Sequence, residues 1–167
     1  MKYKSPLFEP FTHLKSIEMS HPLYMGLFDY HQNPCSRLVS AEADVVLLLG
    51  GRLDFGVNYG EAPLIGKDTT LVCVNATARE LSGNQLADVR ICSDIKAFVE
   101  SLNGSSHLTS NDTDWSDRIR QARYDSLTPY RNFLESTESP LHPLRLCRDL
   151  FMSLREEDFV VVDGGDI

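Results

Sequence analysis

Positive charge is in short supply in this chain of 167 residues, which sets 16 Lys and Arg against 24 Asp and Glu for a formal net charge of −8. Nucleic-acid backbones and anionic lipid surfaces both demand a basic face, so neither is an expected partner. Long hydrophobic runs are missing as well. The longest is Val45 to Leu49, far below the roughly 20 apolar residues that a membrane-spanning helix needs, so no membrane partner is expected. Residues 1–11 hold neither a continuous apolar stretch nor a small-residue cleavage site, and the expectation is a cytoplasmic protein rather than a secreted one.

Cysteine is sparse and dispersed. Cys35, Cys73, Cys92 and Cys147 form no Cys-x-x-Cys pair and no dense framework, which excludes a zinc knuckle or a disulfide scaffold and predicts free, mostly buried thiols. His21, His31 and His142 make no close His pair beside a carboxylate, so no metal ligands are assigned. Both Gly-x-Gly-x-x-Gly and Gly-x-Ser-x-Gly are absent, which removes the standard dinucleotide fingerprint and the strained nucleophile turn of a Ser hydrolase. No catalytic residue is assigned.

What is present is an ordinary globular composition, with 42% hydrophobic and 9% aromatic residues. Residues 1–34 read mainly as loop and short turns, rich in Pro and His. A short helix over 34–42 leads into Val45-Val46-Leu47-Leu48-Leu49, which stops at Gly50-Gly51. A branched apolar run bounded by glycine predicts a parallel strand covered on both faces. Thr69 to Val74 repeats that signature, and Val89 to Cys92 gives a third short strand.

Between the strands, Ala78 to Leu81 predicts one helical turn, and Ser93-Asp94 caps a helix from Ile95 to Leu102. Strands separated by such connections pair in parallel. Residues 105–114 are polar and predict a linker. A helix is expected from Trp115 to Ser126 and a second from Leu144 to Leu154. Phe159 to Val162 then predicts a fourth buried strand, ending in Asp163-Gly164-Gly165-Asp166.

The candidate site is the glycine turn after the first buried strand. Ligands of open α/β sheets sit outside the carboxyl ends of strands, where Gly50 and Gly51 let a phosphate or ribose approach the backbone and Arg52 offers a fork of donors. A tight turn with Arg52 paired to a surface carboxylate explains the same residues equally well. Asn75 ends the next strand, where dinucleotide folds place an acid for a ribose. It can bond a hydroxyl but brings no charge, so capping or turn formation is its better reading.

Four stretches, in order, carry a family resemblance: His-Pro-Leu-Tyr-Met-Gly at 21–26, Ala43 through the Leu-Leu-Leu-Gly-Gly-Arg-Leu-Asp-Phe ending at 55, the segment 86–94, and Pro140-Leu141-His142-Pro143 leading to 160–165. Together they resemble the thiamine-diphosphate enzymes of the acetolactate synthase, 2-hydroxyacyl-CoA lyase, oxalyl-CoA decarboxylase and benzaldehyde lyase type.

The resemblance implies a Rossmann-like α/β fold with a three-layer parallel sheet. It corresponds to the later part of a six-stranded central domain, incomplete at its N-terminal side. Residues 1–104 would be the partial central domain, 105–139 linker and helix, and 140–167 the start of a C-terminal diphosphate-binding domain. It further implies a carboligase or lyase for 2-oxo or 2-hydroxyacyl substrates that uses thiamine diphosphate and Mg2+. The cofactor-activating glutamate and the Gly-Asp-Gly metal motif would lie outside this chain, which would be inactive alone. FAD, ADP or the nucleotide of coenzyme A would meet Gly50, Gly51 and Arg52, if any nucleotide binds. Partners would be the missing domains or sister subunits of a homo-oligomer. The rival expectation is a non-catalytic nucleotide-binding or subunit-interaction module.

Overall fold

The computed structural model describes residues 5–10, 16–29, 31, 33–105, 113–155 and 157–161. The chain divides into two compact units, Met1–Ser126 and Leu127–Ile167.

The core of the first unit is a three-stranded parallel sheet formed by β3 (Val45–Leu49), β4 (Thr70–Asn75) and β5 (Val89–Cys92), in the order β3-β4-β5. Both pairings are parallel, with Leu47 beside Val72 and Val74 beside Ile91. This is the direction that the alternation of strands and connections predicts. β4 lies between two partners and is nearly closed to water. Leu71, Cys73 and Val74 are all buried; Leu71 and Cys73, with Leu81 and Ala87, anchor one apolar cluster, and Val46, Leu48 and Leu53 pack against it.

β3 departs from expectation. Among the described residues it is an edge strand, and Val45, Leu47 and Leu49 are exposed, so it is not covered on both faces. An apolar run shows that a strand avoids water, but it does not say which neighbour arrives.

The helical connections follow their caps. Thr77 and Glu80 close a capping box around α2 (Ala78–Leu81). The Asp94 carboxylate accepts the Ala97 N–H at 2.9 Å and starts α3 (Ile95–Gly104). Asp88 ties β4 to the entry of β5, since its carboxylate accepts the Leu71 N–H at 2.8 Å while its own N–H donates to the Leu71 carbonyl at 2.9 Å.

The stretch before residue 34 is more ordered than its composition predicts. β1 (Leu7–Glu9) and β2 (Tyr24–Leu27) pair in parallel as a separate two-stranded sheet. Strands of three and four residues are too short to show periodicity, and the second contains Gly26, at φ +88.

Asn33 joins β2 to α1 (Pro34–Glu42): its side chain caps Cys35 N–H and donates to the Met25 and Leu27 carbonyls. Glu9 is buried, with one carboxylate oxygen accepting Ile17 N–H at 2.7 Å and the other the Tyr24 hydroxyl at 3.1 Å. Burial, and then the bond to Glu9, raises the Tyr24 pKa above its ordinary value.

α4 (Thr113–Leu134) runs well past the expected end at Ser126 and contains Pro129. Its early turns belong to the first unit. Ile119 is buried beside Met25, Cys35 and Val39, and the Arg123 guanidinium donates to the Tyr24 carbonyl and lies 5.6 Å from its ring centroid.

In the second unit, α5 (Pro143–Ser153) is capped by His142, whose ring accepts Leu144 N–H at 3.2 Å and stacks on Phe133 at 4.4 Å. Of the expected fourth strand, Phe159 to Val161 are described and are not in a strand. Phe159 to Val161 pair with no strand among the described residues, and Phe159 is 99% exposed. A strand needs a neighbour to satisfy its backbone, and apolar sequence alone does not supply one. Residues 106–112 of the expected linker, Val162, and the segment Asp163 to Asp166 lie outside the described residues.

Truncating the buried strand tests this account of the core. Leu71→Ala is expected to lower unfolding free energy by about 2–5 kcal/mol, measured as a shift in urea midpoint at unchanged slope. Asp94→Ala should cost only about 1 kcal/mol, because it removes one helix cap.

Candidate functional site

The glycine turn leaves β3 at its carboxyl end. Gly50 adopts φ +70, a left-handed backbone that side chains disfavour, and its N–H extends the ladder by donating to the Val74 carbonyl at 2.7 Å. Gly51 is buried, and a Cβ there would stand 2.5 Å from a Leu48 methyl, so that leucine would have to move for any larger residue. Both glycines therefore have conformational or packing reasons to be glycine before any ligand is considered.

Two asparagines clamp this turn from inside. Asn84 accepts the Leu53 N–H at 3.0 Å and donates to the Gly51 carbonyl and to the Asn75 side-chain oxygen, both at 3.1 Å. Asn75 donates to the same Gly51 carbonyl at 3.2 Å. Their exposures are 0% for Asn84 and 1% for Asn75, so neither reaches solvent. The structure thus draws Gly50, Gly51 and Asn75 together, but Asn75 faces inward as a strut rather than outward toward a ribose. Nor is it the helix cap or free turn residue that its position suggests, because it is the last residue of β4.

Arg52 is exposed, and no carboxylate partner is recorded for it among the described residues. With the Gly50 and Leu53 N–H groups already bonded, it is the charged donor that the turn offers outward. Beyond it, the Asp54 side chain accepts Gly56 N–H at 3.0 Å and opens a turn over Phe55–Gly60. Asn58, Tyr59 and Gly60 there all have positive φ, and Phe55 and Tyr59 are exposed. The arrangement can hold an anion at Arg52 and a flat ring near the two aromatics. A groove of about 470 Å³ lies elsewhere, between α1 and α4, lined by Cys35, Leu38, Val39, Trp115 and Ile119, and shares no residue with the turn.

Asn84 is the residue that reasoning from sequence missed. It follows Ser82-Gly83 in what looks like a polar turn, and only its contact across 33 residues with Gly51 shows its role. Glu9 was missed for the same reason. Its partners Ile17 and Tyr24 lie 8 and 15 residues away.

The thiols divide in two. Cys35 and Cys73 are buried, whereas Cys92 and Cys147 are exposed, so only half of them fit the expectation of buried thiols. Burial pushes the Cys73 thiol up to about 11 from its ordinary 9.0, and raises that of Cys35 too. No three His, Cys, Asp or Glu groups converge to hold a metal among the described residues.

Fold and turn together define a Rossmann-like parallel α/β layer with a glycine turn at a strand's carboxyl end. The family model described as "Thiamine pyrophosphate enzyme, central domain" matches residues 1–102, and the chain belongs to that family. The chain is 29% identical over 134 residues to a "2-hydroxyacyl-CoA lyase 2" of Caenorhabditis elegans, covering 75% of this chain and 20% of that protein. It is 27% identical over 114 residues to an "Acetolactate synthase large subunit" of Lactococcus lactis, covering 68% of this chain and 20% of that one. A "Sulfoacetaldehyde acetyltransferase" of Castellaniella defragrans matches 98% of this chain at 23% identity, over 31% of its own length. The chain therefore spans between a fifth and a third of these relatives.

Two outcomes check the site. Asn84→Ala leaves the Gly51 carbonyl and the Leu53 N–H without that partner in a buried place, and should cost about 1–3 kcal/mol in chemical denaturation, with faster amide exchange at Leu53. In a thiol titration of the folded chain, Cys92 and Cys147 should react at once and Cys35 and Cys73 only on unfolding. Because the folded Cys73 pKa lies above its unfolded value, its contribution to stability is complete below pH 9.0 and fades as pH rises toward about 11. An alkaline denaturation series on Cys73→Ala should lose that component.

Proposed function

We propose that this chain is a section of a thiamine-diphosphate- and magnesium-dependent carboligase or lyase acting on 2-oxo or 2-hydroxyacyl substrates, without that activity when alone. The match to the central-domain family over residues 1–102 carries the reading, and the printed names of the relatives, lyase and synthase, support its reaction class. In this reading residues 1–104 are the partial central domain, 105–139 a linker and helix, and 140–167 the opening of the diphosphate-binding domain. The described residues gather no donor set for magnesium, so no step of the chemistry is assigned to them. The enzyme's other domains or sister subunits supply cofactor binding and catalysis, and its setting is the cytoplasm. No helix among the described residues is long and apolar enough to cross a membrane.

Arg52 favours a second reading, a non-catalytic module that holds FAD, ADP or the nucleotide of coenzyme A at Gly50, Gly51 and Arg52. Its exposed guanidinium lies beside a turn whose shape the two buried asparagines hold. A charged donor in a preset position is what a phosphate needs.

Purified chain supplied with thiamine diphosphate and Mg2+ is expected to show no carboligation of pyruvate, and measurable turnover would overturn the first reading. Calorimetry with ADP, FAD and coenzyme A separates the second: one ligand should bind, and Arg52→Ala should weaken it by about 1.5–3 kcal/mol.

A further inference from the structure

The sequence His-Pro-Leu occurs twice, at 21–23 and at 142–144, once in each compact unit, and it folds the same way both times. The ring Nδ1 of His21 accepts the Leu23 N–H at 3.2 Å, and that of His142 accepts the Leu144 N–H at 3.2 Å. The carbonyl of the same histidine takes a second N–H from further on, that of Tyr24 at 2.9 Å and that of Leu146 at 3.1 Å. Proline explains the spacing. It has no N–H, so the first backbone donor after the histidine is the leucine's, and its fixed φ sets the turn.

Each turn opens an element. His21 leads into β2, where the Leu23 carbonyl accepts the Leu7 N–H at 2.8 Å as β1 begins to pair. His142 is the cap of α5, with its ring stacked on Phe133. Asp, Asn, Ser and Thr are the usual residues for such a bond, and none of them changes charge near neutral pH. Histidine does, between about pH 5 and 8. A neutral imidazole accepts at Nδ1 with its proton on Nε2, whereas the protonated ring carries an N–H on both nitrogens and would turn a donor toward the leucine N–H. At His142 the new positive charge would also sit at the positive end of the α5 dipole.

The charged groups on the elements around His21 are Glu18, Glu9 of β1 and Arg123 of α4. Glu9 is engaged by the Ile17 N–H and the Tyr24 hydroxyl, and Arg123 by the Tyr24 carbonyl. Around His142 they are Arg145, Arg148 and Asp149 of α5, Arg131 and Glu135 at the end of α4, and Glu138 between the helices. Arg145 pairs with Asp149, and Arg148 donates to the Leu134 carbonyl. No ion pair with either imidazole is recorded among the described residues.

We propose that the two His-Pro-Leu turns are acid-sensitive latches, closed by the neutral imidazole and opened by its protonation, so that the start of β2 and the first turn of α5 both loosen on mild acidification. Each bond closes within three residues of chain, and the inference does not depend on the catalytic reading.

Amide exchange followed by NMR on the intact chain tests this between about pH 8 and about pH 6, once the intrinsic pH dependence of exchange is divided out. Protection of Leu23 and Leu144 should fall by about five-fold, the worth of one hydrogen bond, and further at Leu144, where the dipole adds its effect. Each amide should change at the same pH as the carbon-bound ring protons of its own histidine. His21→Asn and His142→Asn each supply an acceptor that does not titrate. Each should abolish the pH response at its own leucine and leave the other turn's response intact. The ring and amide titrations of the unsubstituted chain decide the matter even where a variant fails to fold. Leucine protection that stays level while the rings titrate, or a fall on acidification that persists in the Asn variants, would overturn the proposal.

Discussion

Among the described residues β4 is the strand bonded on both sides, and the arrangement of the first unit follows from that. Its ladder to β3 sets where the glycine turn emerges, since Gly50 N–H makes the last bond of that ladder to Val74. Its ladder to β5 sets where α3 begins, since Ser93 N–H donates to the Asn75 carbonyl just before the Asp94 cap. Burial of Leu71, Cys73 and Val74 makes each of these bonds costly to expose to water. Weakening β4 would therefore disturb the turn as well as the core.

The turn's geometry is maintained by polar contacts rather than by glycine freedom alone. Asn75 and Asn84 bring two amide side chains to one carbonyl, and Asn84 also takes a backbone N–H. Burying such groups is tolerable only when their bonds are met. The resulting turn keeps its inner face closed and presents Arg52 outward. Asn75 thereby has a structural task in a position where the dinucleotide pattern suggests ligand contact.

Legibility from sequence varied with the physical cause. β3 and β4 were visible because their apolar runs are continuous, and the start of α3 was visible because Asp94 acts on its immediate neighbours. β1 and β2 were hidden, since three or four residues give no period and their pairing joins Leu7 to Tyr24. The extension of α4 beyond Ser126 was hidden by Pro129, which argues against a helix interior. At the candidate site Gly50, Gly51 and Arg52 could be read directly, whereas the Asn84 clamp could not, because its bonds span 31 and 33 residues.

Composition and local pattern by themselves determined the α/β class, the parallel direction of the sheet and the position of the glycine turn. These depend on short-range chemistry: which residues avoid water, which cap a helix, and which permit a left-handed bend. Tertiary structure alone decided that, among the described residues, β3 is an edge and β4 the centre, that Asn75 points inward, and that Phe159 to Val161 pair with no strand. Each of these depends on which neighbour arrives to satisfy a backbone or side-chain group, and that information is distributed over residues far apart along the chain.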